Sequence, residues 1–329
     1  MSLPVLVELV RSGLVESTHT GSLVALRADG STALALGRVD RPVYPRSSNK
    51  PLQAVALLEA GWAPVDEQCV ALATASHSGL PRHLDVVRRT LAAAGLTEQA
   101  LGCPSQLPLD EAAAHDLLRS GAAASPLTMN CSGKHAGMLA TCVANGWPTA
   151  DYLSLDHPVQ KAITSTVVRL AGEPVEHVAV DGCGAPQHAL TLVGVARAFG
   201  ALASSTSGAQ GRVAAAMRAH PDLVGGPGRE VTLLLEGVDG LVAKDGAEGY
   251  FAAGLPDGSG AAVKVADGAN RASHLLLVAA LRALGATAPV LDELATSPVL
   301  GGGRPVGELR GSADLLAAVA EQTIESGSR

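Results

Sequence analysis

Arg46-Ser47-Ser48-Asn49-Lys50-Pro51, running straight into the apolar Leu52-Gln53-Ala54-Val55-Ala56-Leu57-Leu58, is where the chain changes character. Before it, residues 4 to 46 read as strand, and the run from Val15 to Leu26 suggests a hairpin turning near Gly21. After it, apolar residues fall at helical spacing, in Leu52 to Leu58 and again in Val86 to Leu91, Met138 to Val143 and Val159 to Leu170. Pro81, Pro158 and Pro221 stand where such helices need starts or breaks. Strand character returns late, in Leu241-Val242-Ala243, Tyr250-Phe251-Ala252-Ala253 and Ala261-Ala262-Val263-Lys264-Val265, separated by Gly and Asp-Gly turns. A strong helix then spans Asn270 to Leu284 and is closed by Gly285. Strands, a long helical insert, strands and a helix, with no regular βαβ alternation, predict an α+β fold. Its sheet is mostly antiparallel, with flanking helices and a helical lobe. The expectation is one domain over residues 1–329, with a sheet lobe of about 1–46 plus 231–329 and a helical lobe of about 47–230.

Composition narrows the partners. Hydrophobic residues make up 47% and charged ones 17%, which fits a packed globular chain and argues against disorder. Two Trp, three Tyr and two Phe leave almost nothing on which single-stranded nucleic acid could stack. A net charge of -7 without a basic patch argues against a phosphate-backbone partner. The best membrane candidate, Leu275 to Leu281, is cut by Arg282. Glu8 and Arg11 interrupt the first apolar run, unlike a secretory h-region, so a cytoplasmic protein is expected. Five cysteines are an odd number in a long chain, and reduced thiols are the better assumption.

Only five of the 24 basic residues are lysines. A chain that prefers arginine keeps lysine where a permanently charged guanidinium will not serve, because lysine can give up its proton. Three of the five, Lys50, Lys134 and Lys244, fall in short polar or Gly-rich stretches. Ser47-x-x-Lys50 places a hydroxyl and an amine one helical turn apart, which suits a serine activated by an adjacent base. The plainer alternative is a capping serine and a solvated lysine. Lys244-Asp245-Gly246 follows a strand, like the K-[ST]-G element that partners S-x-x-K in penicillin-recognising enzymes. Its plainer alternative is a surface turn. Ala75-Ser76-His77-Ser78-Gly79 reads as a loop that exposes a serine, or simply as a turn. Cys131-x-x-Lys134-His135 and Asp181-Gly182-Cys183-Gly184 offer sulfur, imidazole and carboxylate donors for zinc; a redox-active or structural thiol competes with that reading. Cys69, Cys103 and Cys142 read as packing, and His83, His157 and His220 as helix-end residues.

Taken together, these segments resemble the L-asparaginases typified by the thermolabile rhizobial enzyme. The resemblance runs in order through Arg46 to Pro51, Ala75 to Gly79, Asn130 to Met138, Asp181 to Pro186 and Lys244 to Gly249, and covers about residues 5 to 285. Cys131-Ser132-Gly133-Lys134-His135-Ala136-Gly137-Met138 is its most specific string. Ser47-x-x-Lys50-Pro51 and Lys244-x-Gly-Ala-x-Gly also resemble the serine-dependent glutaminases of serine β-lactamase-like fold. The resemblance implies hydrolysis of L-asparagine to aspartate and ammonia. Ser47 would be the nucleophile with Lys50 as its base, and Ser76 with Lys244 would form a second couple. Backbone N–H groups at Ser47 and Ala247 would hold the oxyanion. Zinc would sit on Cys131, Lys134 and Cys183, with His135 the chemically easier nitrogen ligand and Asp181 close by or on the substrate amine. A homodimer is expected. Three rivals stay open: a glutaminase or β-lactam hydrolase, a thiol amidohydrolase using Cys183 or Cys131, and a non-catalytic protein that binds zinc or an amino acid.

Overall fold

A computed structural model describes residues 2–327. The chain falls into two compact units, residues 1–48, 190–204 and 233–329 in one, residues 49–189 and 205–232 in the other.

The first unit is built on one sheet of eight strands: β1 (Val5–Arg11), β2 (Leu14–Leu26), β3 (Thr32–Leu36), β4 (Val242–Gly246), β5 (Tyr250–Gly254), β6 (Gly260–Val265), β7 (Thr296–Gly301) and β8 (Arg304–Gly311). They run in the order β4-β5-β6-β2-β1-β8-β7, with β3 on β2, and every pairing is antiparallel. The long β2 joins two halves of the sheet, pairing with β1 up to Thr20 and with β6 from Gly21 onward. The turn expected near Gly21 is therefore not there. It falls at Ser12 and Gly13, both at positive φ, the geometry a two-residue hairpin needs. Gly21 lies inside β2, where a Cβ would stand 2.6 Å from the Lys264 carbonyl. A second tight turn, Gly302-Gly303 at φ 57 and 75, joins β7 to β8, a hairpin that the sequence did not announce.

All five residues of β5 are buried. Successive side chains of a strand face opposite ways, so both faces of the sheet are covered there. The helices Leu192–Ser204 and Ser273–Ala283 both contact β5 and β6. Leu192–Ser204 lies in the stretch read as helical lobe, yet it belongs to the sheet unit. Its seam with the sheet is made of backbone: a Cβ at Gly254 would stand 2.0 Å from the Phe199 carbonyl, and one at Gly260 1.9 Å from that of Ala196.

The second unit is helical, with Lys50–Glu59, Glu67–Ala73, Pro81–Ala93, Glu111–Arg119, Ser132–Ala144, Pro158–Ala171, Gly208–Ala219 and Pro221–Val224, plus the short hairpin of Val178–Val180 with Pro186–His188. Its helix starts follow local rules. Pro81, Pro158 and Pro221 occupy first-turn positions, where a missing N–H costs nothing. Asp66 and Asp110 cap their helices by accepting from Cys69 N and Ala113 N. Ser132–Ala144 is buried from Ser132 through Cys142. It approaches Glu67–Ala73 so closely that a Cβ on Gly133 would stand 2.4 Å from the Leu72 carbonyl. The two helices that flank the candidate chemistry are thus locked together. The whole chain is α+β, and among the described residues no helix is long and apolar enough to cross a membrane.

Candidate active site

In the helical unit, Lys50 opens a helix of which eight of the ten residues are buried. Its own side chain is buried too, and its amine donates to the Ala75 carbonyl at 2.5 Å and meets the Ser76 hydroxyl at 3.1 Å. Ser76 sits in the loop after Glu67–Ala73 and is held from several sides. Its N–H donates to Val224 O at 3.1 Å, and its carbonyl accepts from Arg229 Nη1 at 2.5 Å. Next to it, His77 receives the Gly79 N–H on Nδ1 at 3.2 Å. Its Nε2 lies 2.8 Å from Ser132 Oγ, which donates its own proton to Leu127 O. Nε2 therefore carries the His77 proton. Complete burial, and then the charges of His83, Lys50 and Arg229, keep this ring well below the ordinary histidine range, so it is a neutral strut.

The same unit gathers Cys131, Lys134, His135, Asp181 and Cys183 around the N-terminus of Ser132–Ala144. Lys134 Nζ lies 3.1 Å from Cys183 Sγ, and Cys183 Sγ lies 3.8 Å from Asp181 Oδ2. Cys131 Sγ lies 2.9 Å from Asn130 Oδ1. The two cysteines titrate in opposite directions. A hydrogen bond from Cys131, with Lys134 and His135 behind it, outweighs burial and pulls Cys183 far below the ordinary thiol range. The same bond and burial push Cys131 up, so it keeps its proton. Burial works against the Lys134 charge, but Cys183, Cys131 and Asp181 outweigh it and push the amine up. Cys103, placed nearby, is pushed up to about 12 by burial and then by the Cys183 charge. His188 drops to about 4 through burial and then Lys134. Among the described residues no three His, Cys, Asp or Glu side chains group as metal ligands.

The sheet unit holds the remaining candidates. Ser47 is half-buried in the 3-10 turn Arg46–Asn49, which the chain enters through Arg46 at φ 53. The turn is fixed to β4 by its next residue, whose Ser48 Oγ donates to Lys244 O at 2.7 Å. Gly246 permits this, since a Cβ there would stand 2.4 Å from Pro45 O. Lys244 is buried, and its amine reaches the Asp245 carbonyl at 2.9 Å and the Asp245 carboxylate. Ala247 is exposed in the following turn, where Glu248 and Gly249 both take positive φ. The Ser47 turn thus lies against the Lys244 strand, while the hydrogen bonds of Lys50 run to the Ser76 loop.

Three participants escaped the sequence reading. Tyr152 meets His135 Nδ1 at 2.5 Å, Arg229 holds Ser76, and His77 braces Ser132. Arg229 ends the Gly-rich stretch Gly225-Gly226-Pro227-Gly228, a signal of close backbone approach that was available. Tyr152 carried no such signal.

A family model described as L-asparaginase II matches residues 7–311 of the chain. Among curated proteins nothing matches it.

Proposed function

Because the chain belongs to the L-asparaginase II family, we propose that it hydrolyses the side-chain amide of L-asparagine to L-aspartate and ammonia through an acyl-enzyme made by serine and lysine. The observation that carries this reading is the buried Lys50 amine at 3.1 Å from the Ser76 hydroxyl, a base within reach of a nucleophile. On the resemblance, Ser47 attacks the amide carbon while Lys50 takes its proton. The C–N bond then breaks, and Ser76 with Lys244 pass a proton to the departing ammonia. Water next attacks the ester and frees aspartate. Backbone N–H groups at Ser47 and Ala247 hold the oxyanion. Asp181 serves the substrate amine, and His135 lies beside the bound amino acid.

The Lys50–Ser76 hydrogen bond also favours a second assignment within this chemistry, with Ser76 acylated and Lys50 as its own base. Mass spectrometry of protein quenched during turnover tests both: an aspartyl adduct belongs on the peptide of Ser47 or on that of Ser76. Full activity in both Ser47→Ala and Ser76→Ala would end the reading. Loss of activity confined to Cys183→Ala or Cys131→Ala would favour the thiol route. Relative turnover of asparagine, glutamine and a chromogenic cephalosporin fixes the substrate.

For zinc, the donor set fits. Two sulfurs and an amine nitrogen suit a borderline-soft cation, and Lys134 Nζ and Cys183 Sγ stand within 3.1 Å. Cys131, Lys134 and Cys183 would hold the ion, which supplies a Lewis-acidic charge for orienting a carboxylate or carbonyl oxygen. The five free, buried thiols support a reducing, cytoplasmic setting. The resemblance further carries a homodimer, which light scattering on the purified chain tests.

A further inference from the structure

The turn that joins β4 to β5, Ala247-Glu248-Gly249, passes through left-handed backbone twice in succession, at φ 62 for Glu248 and φ 67 for Gly249. Asn-Gly or Asp-Gly is the pair such a hairpin prefers, because asparagine and aspartate tolerate that geometry. Glutamate adopts it against its own Cβ and stays there only where the surroundings hold it. Among the described residues only Ser12, Arg46 and Glu248 combine a side chain with positive φ. Two of these stand together at the candidate chemistry: Arg46, which precedes Ser47, brings Nη1 to 4.0 Å from Glu248 Oε1.

Two side chains hold the main chain of this turn from outside. Asn270 Oδ1 accepts the Gly249 N–H at 2.7 Å, and Lys264 Nζ donates to the Glu248 carbonyl at 2.6 Å. The Lys264 amine serves backbone a second time, donating to Val265 O at 2.6 Å. The loop that carries Asn270 is anchored on the buried His19 of β2. His19 Nδ1 lies 2.7 Å from Asp267 Oδ2, and its Nε2 receives Arg271 Nε at 3.0 Å. Asn270 therefore works from a base fixed on both sides of it. The turn has no room to settle the other way, since a Cβ on Gly249 would stand 2.6 Å from Val265 Cβ.

We propose that Asn270 and Lys264 are positioning residues for the amide hydrolysis, fixing the 247–249 turn so that the Ala247 N–H stays aimed at the oxyanion. The role rests on the amidohydrolase reading, in which that N–H receives the charge of the tetrahedral intermediate. A donor of this kind must be in place before the charge develops. Displacing its backbone weakens the transition state more than the bound substrate. Neither side chain needs to touch the substrate for this.

The expected signature is a loss in kcat without one in KM. Asn270→Ala should lower kcat for asparagine about thirtyfold, short of the roughly hundredfold or more of an absent donor, with KM held within about threefold. Lys264→Met should lower kcat about tenfold with the same constant KM. Ser273→Ala is the control for structure alone: it removes the Ser273 Oγ bond to Asn270 O at 2.8 Å and leaves both clamps, so the melting temperature falls and kcat does not. Amide hydrogen exchange on the free protein reads the clamp without turnover: the Gly249 N–H is protected in the wild type and exchanges at least about tenfold faster in Asn270→Ala. Unchanged kcat in Asn270→Ala, a loss that falls on KM, or unmoved exchange at Gly249 each overturns the proposal. Should that variant fail to fold, Lys264→Met decides by the same split between kcat and KM. A wild type that releases no ammonia from asparagine ends the amidohydrolase reading and this role with it, whereas an active wild type indifferent to both substitutions overturns the role alone.

Discussion

The sheet unit and the helical unit hold reactive groups by different means. In the sheet unit the Ser47 turn is fixed against main chain, by the Ser48 hydroxyl on the Lys244 carbonyl and by Gly246 packed on Pro45 O. In the helical unit the groups meet through side chains: Lys50 on Ser76, Lys134 on Cys183, Tyr152 on His135. A site built of backbone tolerates exchange of side-chain chemistry but not an added carbon. A site built of side chains behaves in the opposite way. Each half should therefore fail to a different kind of substitution.

The largest effect is expected at Lys50. Lys50→Arg keeps the charge but loses the removable proton, and ammonia release should fall on the order of a thousandfold, as it should in Lys50→Ala. An arginine variant that retains activity would break the comparison, because the lysine would then be only a charge. Next comes Gly246→Ala in the sheet unit. Its methyl displaces Pro45 or the Ser48 hydroxyl, which stands 3.2 Å from a Cβ there. A shift of the Ser47 turn by about 1 Å should cost about a hundredfold in kcat/KM. Undiminished activity in this variant would show that the backbone contact does not set the turn.

Metal uptake sharpens the same contrast. Cys131 and Lys134 are both pushed up, whereas Cys183 is pulled down, so one thiol proton and the amine's extra proton stay on the set. Binding zinc needs a thiolate and a neutral amine, so about two protons should leave with each ion. Affinity should rise at least about tenfold per pH unit. Calorimetry in buffers of differing ionisation heat counts the protons, and a pH-independent affinity would rule out this ligand set. The smallest effect is on stability. His77, His83 and His135 are all lowered from 6.5, first of all by burial. Below about 6.5 the unfolded chain takes up protons that the folded helical unit refuses. Stability present above that pH is lost as pH falls, by up to about 1.4 kcal/mol per unit for each ring that stays neutral. Melting temperatures at pH 7 and 5.5 should differ, and His83→Gln should reduce the difference.

The helices of the second unit were legible because proline and apolar spacing are local signals. Pro81, Pro158 and Pro221 each open the helix they foretold. The turn at Ser12-Gly13 was passed over because the strand pattern runs on to Gly21, a glycine required by the neighbouring strand and not by a bend. The Leu192–Ser204 helix was readable as a helix, but its place on the sheet is a tertiary fact set by Gly254 and Gly260. At the site, the reactive residue types stood out through lysine scarcity and clustered glycine. Their partners did not. Nothing in the spacing ties Lys50 to Ser76, 26 residues on, or Arg229 to that same serine across 153 residues. Tyr152 was invisible for the same reason: its contacts come from where Gly102 and His135 place their polar atoms.

One pairing has a consequence in time. β1 hydrogen-bonds to β8, joining Arg11 to Gly307 and Val7 to Gly311. A ribosome adding roughly 5–20 residues per second needs ~15–60 s to travel between those partners. For that interval the first hairpin of the nascent chain waits with an open edge and an apolar face, while residues 49–189 emerge as one uninterrupted stretch and can collapse on their own. The newborn polypeptide is therefore most vulnerable to misassociation at its earliest strands, and that exposure ends only when the last ones arrive.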